Sequence, residues 1–518
     1  STHCISSAAS DVYKRQNVDI DITRYLTAEV LLGGMVQDHT TPGWESDSNL
    51  FSMINGIPPI SFPVYNPDNS YGGTALSGNP LAEITDMGFY SRNSRLLNSA
   101  IKLTGKLDFI TPGLSASVAL SYNNYFKGYT IRGRSYSRYS ITKGADDNPL
   151  YHQHSVNTDL GNDENRAEEW NNVTFRAFLN YGRTFGHHDV NAFMLFNYDE
   201  LAISRRNMPD GYQNASNFYN WNRYNILSDN LPVKHASFAG RATYAYNKKY
   251  VAEVSFSYEG SDKFPGHGRF GFFPAASLGW ILSRESFMKN VTFVDFLKVR
   301  GSYGVVGNDA IGGERYMYDQ TFNSAEGYLF GVAPTDPGSL REWRVANQDV
   351  TWEKDKKFNI GVEGRFFDCI DMSFDYFQHK RNNILVVPDA TLPSFLGMIP
   401  PYLNQGRMTN SGFEAMLRYT NSAKNPFRFY VEANAWFAHN KIDFMAEEVK
   451  LYDYQRRTGQ SYGKSYALIA EGFFNSQEEI NASGLTYEWG TIRPGDIRYK
   501  DMNGDNIIND NDLSLIHI

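Results

Sequence analysis

Cysteine is nearly absent. Cys4 and Cys369 are the two in 518 residues, so no disulfide framework can be read from their spacing. Long apolar runs are missing too. No stretch approaches the roughly 18 residues of a spanning helix, which excludes helical membrane spans but not a barrel, whose strands are only half apolar. There is no Lys/Arg stripe, and the formal net charge of −8 argues against a nucleic-acid partner. No Pro/Ser-rich linker divides the chain, although a soluble protein of this length usually splits into domains. Catalytic sets fail as well. His187-His188 reads as a solvated turn, and Gly301-Ser302-Tyr303-Gly304 lies on a strand with no helix behind it, so it is no nucleophile elbow. Gly304-Val305-Val306-Gly307 lacks the lysine of a phosphate loop. The expectation is a protein that is not an enzyme.

What the chain does have is aromatics and glycine, with 34 Tyr, 35 Phe and 43 Gly, a mixture that favours strands and turns. The repeating unit is clearest from Ala236 to Tyr258. Phe238, Gly240, Ala242, Tyr244 and Tyr246 alternate with Ser237, Arg241 and Thr243. After Asn247-Lys248-Lys249, Tyr250, Ala252, Val254, Phe256 and Tyr258 alternate with Glu253, Ser255 and Ser257. A period of two in each arm across a polar turn is an antiparallel hairpin with one apolar face.

The same cadence recurs. A strand is expected over 20–32, then pairs over 101–109 and 116–122, 173–181 and 190–198, 274–281 and 297–303, 358–366 and 372–376, and 413–419 and 429–437. That makes about 13 strands, with a fourteenth over 464–473. Connections alternate between short and long, as in an outer-membrane meander with tight periplasmic turns and long extracellular loops. The fold class expected is all-β, a partial transmembrane antiparallel β-barrel. Its apolar rows would face outer-membrane lipid. Lys102, Lys106, Arg176, Arg241, Glu253, Lys298, Arg300, Glu363, Arg365, Glu414, Arg418 and Glu432 would line a polar interior too wide for side chains to fill. The competing reading is a secreted multi-sandwich adhesin or carbohydrate-binding protein, which would bury the apolar rows.

Several ordered motifs carry a resemblance. They are Phe273-Pro274-Ala275-Ala276-Ser277-Leu278-Gly279-Trp280 with Glu285-Ser286-Phe287, then Leu297 to Asn308, Thr351-Trp352-Glu353, Asn359-Ile360-Gly361-Val362-Glu363, Gly406 to Glu414, and Pro494 to Asp505. In that order they resemble the SusC/RagA family of TonB-linked outer-membrane transporters. The resemblance implies a 22-stranded barrel of which about 13–14 strands lie here, with plug domain and C-terminal strands missing. It implies import of oligosaccharides or peptides, a SusD-like surface lipoprotein as lid, TonB as energy coupler, and a Bacteroidota-like outer membrane. A metal chelate or cobalamin is the other substrate class for such a barrel. Residues 17–512 are expected to be the barrel region. Residues 1–16 and 513–518 resemble translated adapter sequence and are expected to be non-native tails.

Residues 501–512 have the ligand spacing of a 12-residue calcium loop. Asp501, Asn503, Asp505, the Ile507 carbonyl, Asn509 and Asp512 are the expected Ca2+ ligands, with Ile508 as the apolar anchor. Asn506 stands where the turn wants glycine, and Asp512 where a glutamate is usual. The competing reading is a metal-free Asn/Asp turn. Trp170, Tyr219, Trp221, Tyr316, Tyr318, Trp343 and Tyr402 are candidate loop aromatics for stacking on sugar rings.

Overall fold

The computed structural model describes residues 8–516 except 43–46, 145, 147, 162–163, 210–231, 312–314, 326–338, 389–396 and 422–425. Fourteen long strands dominate it, each hydrogen-bonded only to its neighbours in sequence. They are β1 (Ala8–Thr23), β2 (Leu26–Pro42), β3 (Gly88–Lys106), β4 (Leu114–Gly133), β5 (Glu164–Phe185), β6 (His188–Pro209), β7 (Val233–Tyr246), β8 (Tyr250–Ser261), β9 (Phe270–Ile281), β10 (Val294–Asn308), β11 (Glu353–Phe366), β12 (Ile370–Val386), β13 (Leu403–Thr420) and β14 (Tyr430–Phe444). Two compact units share them. One holds residues 1–179 and 196–236, the other 180–195 and 237–518.

The strand expected over 20–32 is instead a hairpin of β1 and β2, turning at Arg24-Tyr25. The turn lacks Gly, Pro and Asn, and is held by Thr23, whose Oγ1 accepts from the N–H groups of Tyr25 and Leu26. This split supplies the fourteenth long strand. The segment expected over 464–473 breaks into two short strands, Ser465–Ala467 and Ala470–Phe473, outside the large sheet. Ser10 to Gln16 pair with Leu32 to Asp38, and Ser514 to Ile516 pair with Ser465 to Ala467. The strands also run far past their expected ends. β4 continues to Gly133 and β5 begins at Glu164, inside what reads as loop.

Short and long connections alternate along most of the chain. The exception is the link between β8 and β9, which spans only 262–269 because β9 starts at Phe270 rather than Pro274. The tight turns use left-handed backbone: Asn247 and Lys248 at φ 52° and 54°, and Phe367 and Asp368 both at φ 54°. Asn tolerates this region, but a phenylalanine does not do so freely. Asp368 N donates to Asp295 Oδ2 at 2.6 Å, and Phe367 stacks on Phe293 at 5.6 Å. Those two contacts hold the strained pair.

The apolar rows do not make a core. Val254, Leu278 and Leu417 are 58%, 70% and 52% exposed, which removes the sandwich reading. In the second unit the buried clusters lie where the long loops are. One joins Phe264, Phe273, Met317, Val350 and Trp352. The other joins Phe474, Ile480 and Ile492 in the segment after β14.

Candidate functional site

Alternation puts charges on one face of each strand, and register then decides which of them meet. In the first unit Lys102 Nζ pairs with Glu29 at 2.9 Å. Asp19, Glu29, Lys102, Thr174 and Arg176 surround a recess of about 330 Å³, floored by Ala100 and Ala119. In the second unit Arg241 meets Glu253 at 3.1 Å, Arg365 meets Asp371 at 3.7 Å, and Arg418 Nε donates to Glu432 Oε2 at 2.6 Å.

The densest network centres on Arg300. Its Nε donates to Glu363 Oε1 at 2.7 Å, Nη1 to Asn359 Oδ1 at 3.0 Å, and Nη2 to Asp375 Oδ2 at 2.9 Å. Lys298 Nζ adds a contact to Glu363 at 3.5 Å. Arg300 and Asp375 sit on strands that are not adjacent. Gly361 lies between them in register, and with no side chain there the guanidinium can cross. A Cβ on Gly361 would collide with the Asp375 carboxylate. The same row continues through Glu414 to Trp436. One register row therefore carries Arg300, Asp375, Glu414 and Trp436 on the polar face. Arg300, Glu363 and Glu414 are sequence-predicted. Asp375, Glu29 and Trp436 are not, although each alternates with apolar neighbours and stands at a polar position of its strand.

The candidate loop aromatics are mostly engaged with their own chain. Trp170 lies on β5 and stacks on Tyr125 at 5.5 Å. Tyr316 packs edge-on to Tyr318, and Tyr402 lies under the Arg344 guanidinium at 4.2 Å. Trp343 is covered by Arg341. Tyr219, Trp221 and Cys4 lie outside the described residues.

A second hub lies at the short-turn end. Glu285 accepts from Tyr250 OH at 2.7 Å, Lys249 Nζ at 3.1 Å and Trp280 Nε1 at 3.2 Å. Those three bonds pull its carboxyl down to about 2. His188 Nδ1 sits 2.8 Å from Tyr244 OH at the same end of the strands.

Residues 501–512 form a tight loop on the long-loop side. Asp501 accepts from Gly504 N and Asn506 N at 2.7 and 2.8 Å. Burial raises its carboxyl, but those amides outweigh it and leave it below the ordinary value. Asn503 Nδ2 donates to Asp505 Oδ2 at 2.8 Å, and Asp505 Oδ1 accepts from Ile507 N at 2.7 Å. Asn506, at φ 63°, fills the position meant for glycine. Asp512 is fully buried and accepts from Met502 N and Asn509 N. Asn509 Oδ1 accepts from Asn511 N. The loop thus brings Asn503 to Asp505 and turns Asp501 and Asp512 onto backbone amides. Among the described residues no group of three or more His, Cys, Asp or Glu is placed to hold a metal ion. Ile508 is fully buried, and its strand pairs in parallel with Thr486–Tyr487, not with a long strand.

The sequence model of the family described as "TonB dependent receptor-like, beta-barrel" matches residues 43–514. TonB-dependent receptor P26 of Formosa agariphila is 30% identical over 61% of this chain and 32% of its own length. TonB-dependent receptor SusC of Bacteroides thetaiotaomicron is 23% identical over 52% of this chain and 27% of its own length. The chain spans less than half of the length of these curated relatives. The solved RagAB peptide transporter shares the fold, with a TM-score of 0.65 at 17% identity over 98% of this chain and 55% of that one.

Proposed function

Because this chain belongs to the TonB-dependent receptor β-barrel family of the outer membrane, which is a receptor family and not an enzyme family, we propose that it forms part of the wall of a SusC/RagA-type importer. The cargo is an oligosaccharide, with a peptide as the second candidate. A SusD-like lipoprotein delivers it, and TonB powers its passage. The observation that carries this reading is the register row of Arg300, Asp375, Glu414 and Trp436 on the polar face. Charged groups hydrogen-bond hydroxyls, and an indole on the polar face can stack on the apolar face of a pyranose. The test is growth of the source bacterium with the receptor gene deleted. Growth on oligosaccharides should fail while growth on the constituent monosaccharide continues, and a protonophore should stop uptake in the wild type. A defect confined to peptides, metal chelates or cobalamin would reassign the cargo. Trp436→Ala should slow oligosaccharide uptake roughly 5- to 10-fold, the cost of one stacking contact, with normal receptor levels in the membrane.

The 501–512 loop is proposed as a calcium site in the intact receptor. Its support is the tight turn that sets Asp501, Asn503 and Asp505 at alternate positions, with Asn503 bonded to Asp505 and Asp501 to the Gly504 and Asn506 amides, where carboxylates keep lone pairs beyond those given to amides. Calorimetry on the receptor in detergent should show calcium-dependent heat that Asp501→Ala and Asp505→Ala remove. Absence of heat, or equal heat in the variants, makes the loop a polar turn.

A further inference from the structure

We infer that the apolar face carries a seat for one anionic glycerophospholipid in the periplasm-facing leaflet. The seat is a trough of about 650 Å³ in the second unit. Tyr244, Tyr250 and Trp280 bound it near the short turns, and Leu278 and Ile360 flank it. Ala252, Leu278, Gly301 and Ile360 stand in one register row, so Gly301 leaves a gap between two branched side chains. The backbone does not require that glycine. Its conformation is ordinary, and an added Cβ would meet nothing closer than Asn359 O at 3.8 Å. On a face turned to lipid, such a hollow is filled by an acyl chain.

The headgroup end distinguishes this seat from ordinary lipid contact. Tyr250 and Trp280 stack at 6.3 Å, and both donate to Glu285. That carboxylate is buried and neutralised by Lys249. Next to it Arg284 Nη1 donates to the Lys248 carbonyl at 2.9 Å, and both Lys248 and Arg284 are exposed. The trough therefore ends beside two cations at the level where short turns meet the periplasmic interface. A lipid tail gains little from leaving one apolar medium for another. Fit at Gly301 fixes the tail, and the cations choose the headgroup. The two cations are worth roughly 30-fold for an anionic over a zwitterionic phospholipid.

The inference rests on the outer-membrane placement and not on the cargo. Native mass spectrometry of the detergent-purified receptor, titrated with equal phosphatidylglycerol and phosphatidylethanolamine, tests it. The wild type should hold one phosphatidylglycerol per barrel with that preference. Lys248→Gln with Arg284→Gln, both on the exposed turn, should lose the preference, and Gly301→Leu should lose the retained lipid while keeping heat-modifiable mobility. Equal retention of both headgroups by the wild type overturns the proposal. So does unchanged phosphatidylglycerol retention in the charge variant or in folded Gly301→Leu. Lipid counts are read on the folded barrel whatever it carries, so failure here leaves the import reading untouched.

Discussion

Gly361 shows how one absent methyl group decides a network. Arg300 and Glu363 are legible from alternation alone, because both are charged at polar positions of clearly patterned strands. Their link to Asp375 is not. It needs two register steps and the empty position at Gly361 between them, and register is set by turns that a sequence only hints at. Gly361→Ala should cost about 1 kcal/mol, since the pair is only partly buried. Combined with Asp375→Asn in a urea-unfolding cycle in micelles, the two losses should not add, because both remove the same contact. Additive losses would mean the glycine serves packing alone. Glu285 gives a pH prediction. Its folded carboxyl is pulled to about 2 from an ordinary 4.5. The stabilisation is thus complete above about pH 4.5 and fades as pH falls toward 2. Glu285→Gln should lower the heat-modification midpoint at pH 7, and the gap to wild type should close below about pH 2.

At the scale of elements, β3 to β14 are legible in the sequence, while their ends and the β1/β2 pair are not. β4 and β5 extend well beyond the apolar band. There both faces are wet, the two-residue pattern fades, and backbone pairing goes on without it. The β1/β2 turn was missed because a threonine hydroxyl does the work that glycine or asparagine usually signals. The Trp352 cluster was missed for another reason. It joins connections far apart in sequence, and such packing has no local period. Trp352 is 2% exposed and donates from Nε1 to Arg269 O at 3.0 Å. Trp352→Ala should cost about 3–5 kcal/mol of local stability. Limited proteolysis should then cut within 309–352 much faster, while the heat-modifiable band persists. Loss of that band instead would mean the cluster supports the strands themselves.

At the scale of the whole molecule, the two faces answer to different solvents. A charge at Val254 enters hydrocarbon and should cost about 2–4 kcal/mol near mid-membrane. Lys102→Leu on the polar face loses one partly exposed ion pair, about 1 kcal/mol or less. Receptor recovered in outer membranes should fall sharply for Val254→Arg and little for Lys102→Leu. The reverse order would invert the face assignment.

The identity of sequence order and strand order has a further consequence. A hairpin in such a wall can be added or deleted by a single genetic event that changes partners only for the two strands flanking it. The same adjacency gives each strand its partners in the strands just before and after it, so each new hairpin can zip onto the one before it. Growth of the gene and growth of the folding wall then follow one path, two strands at a time.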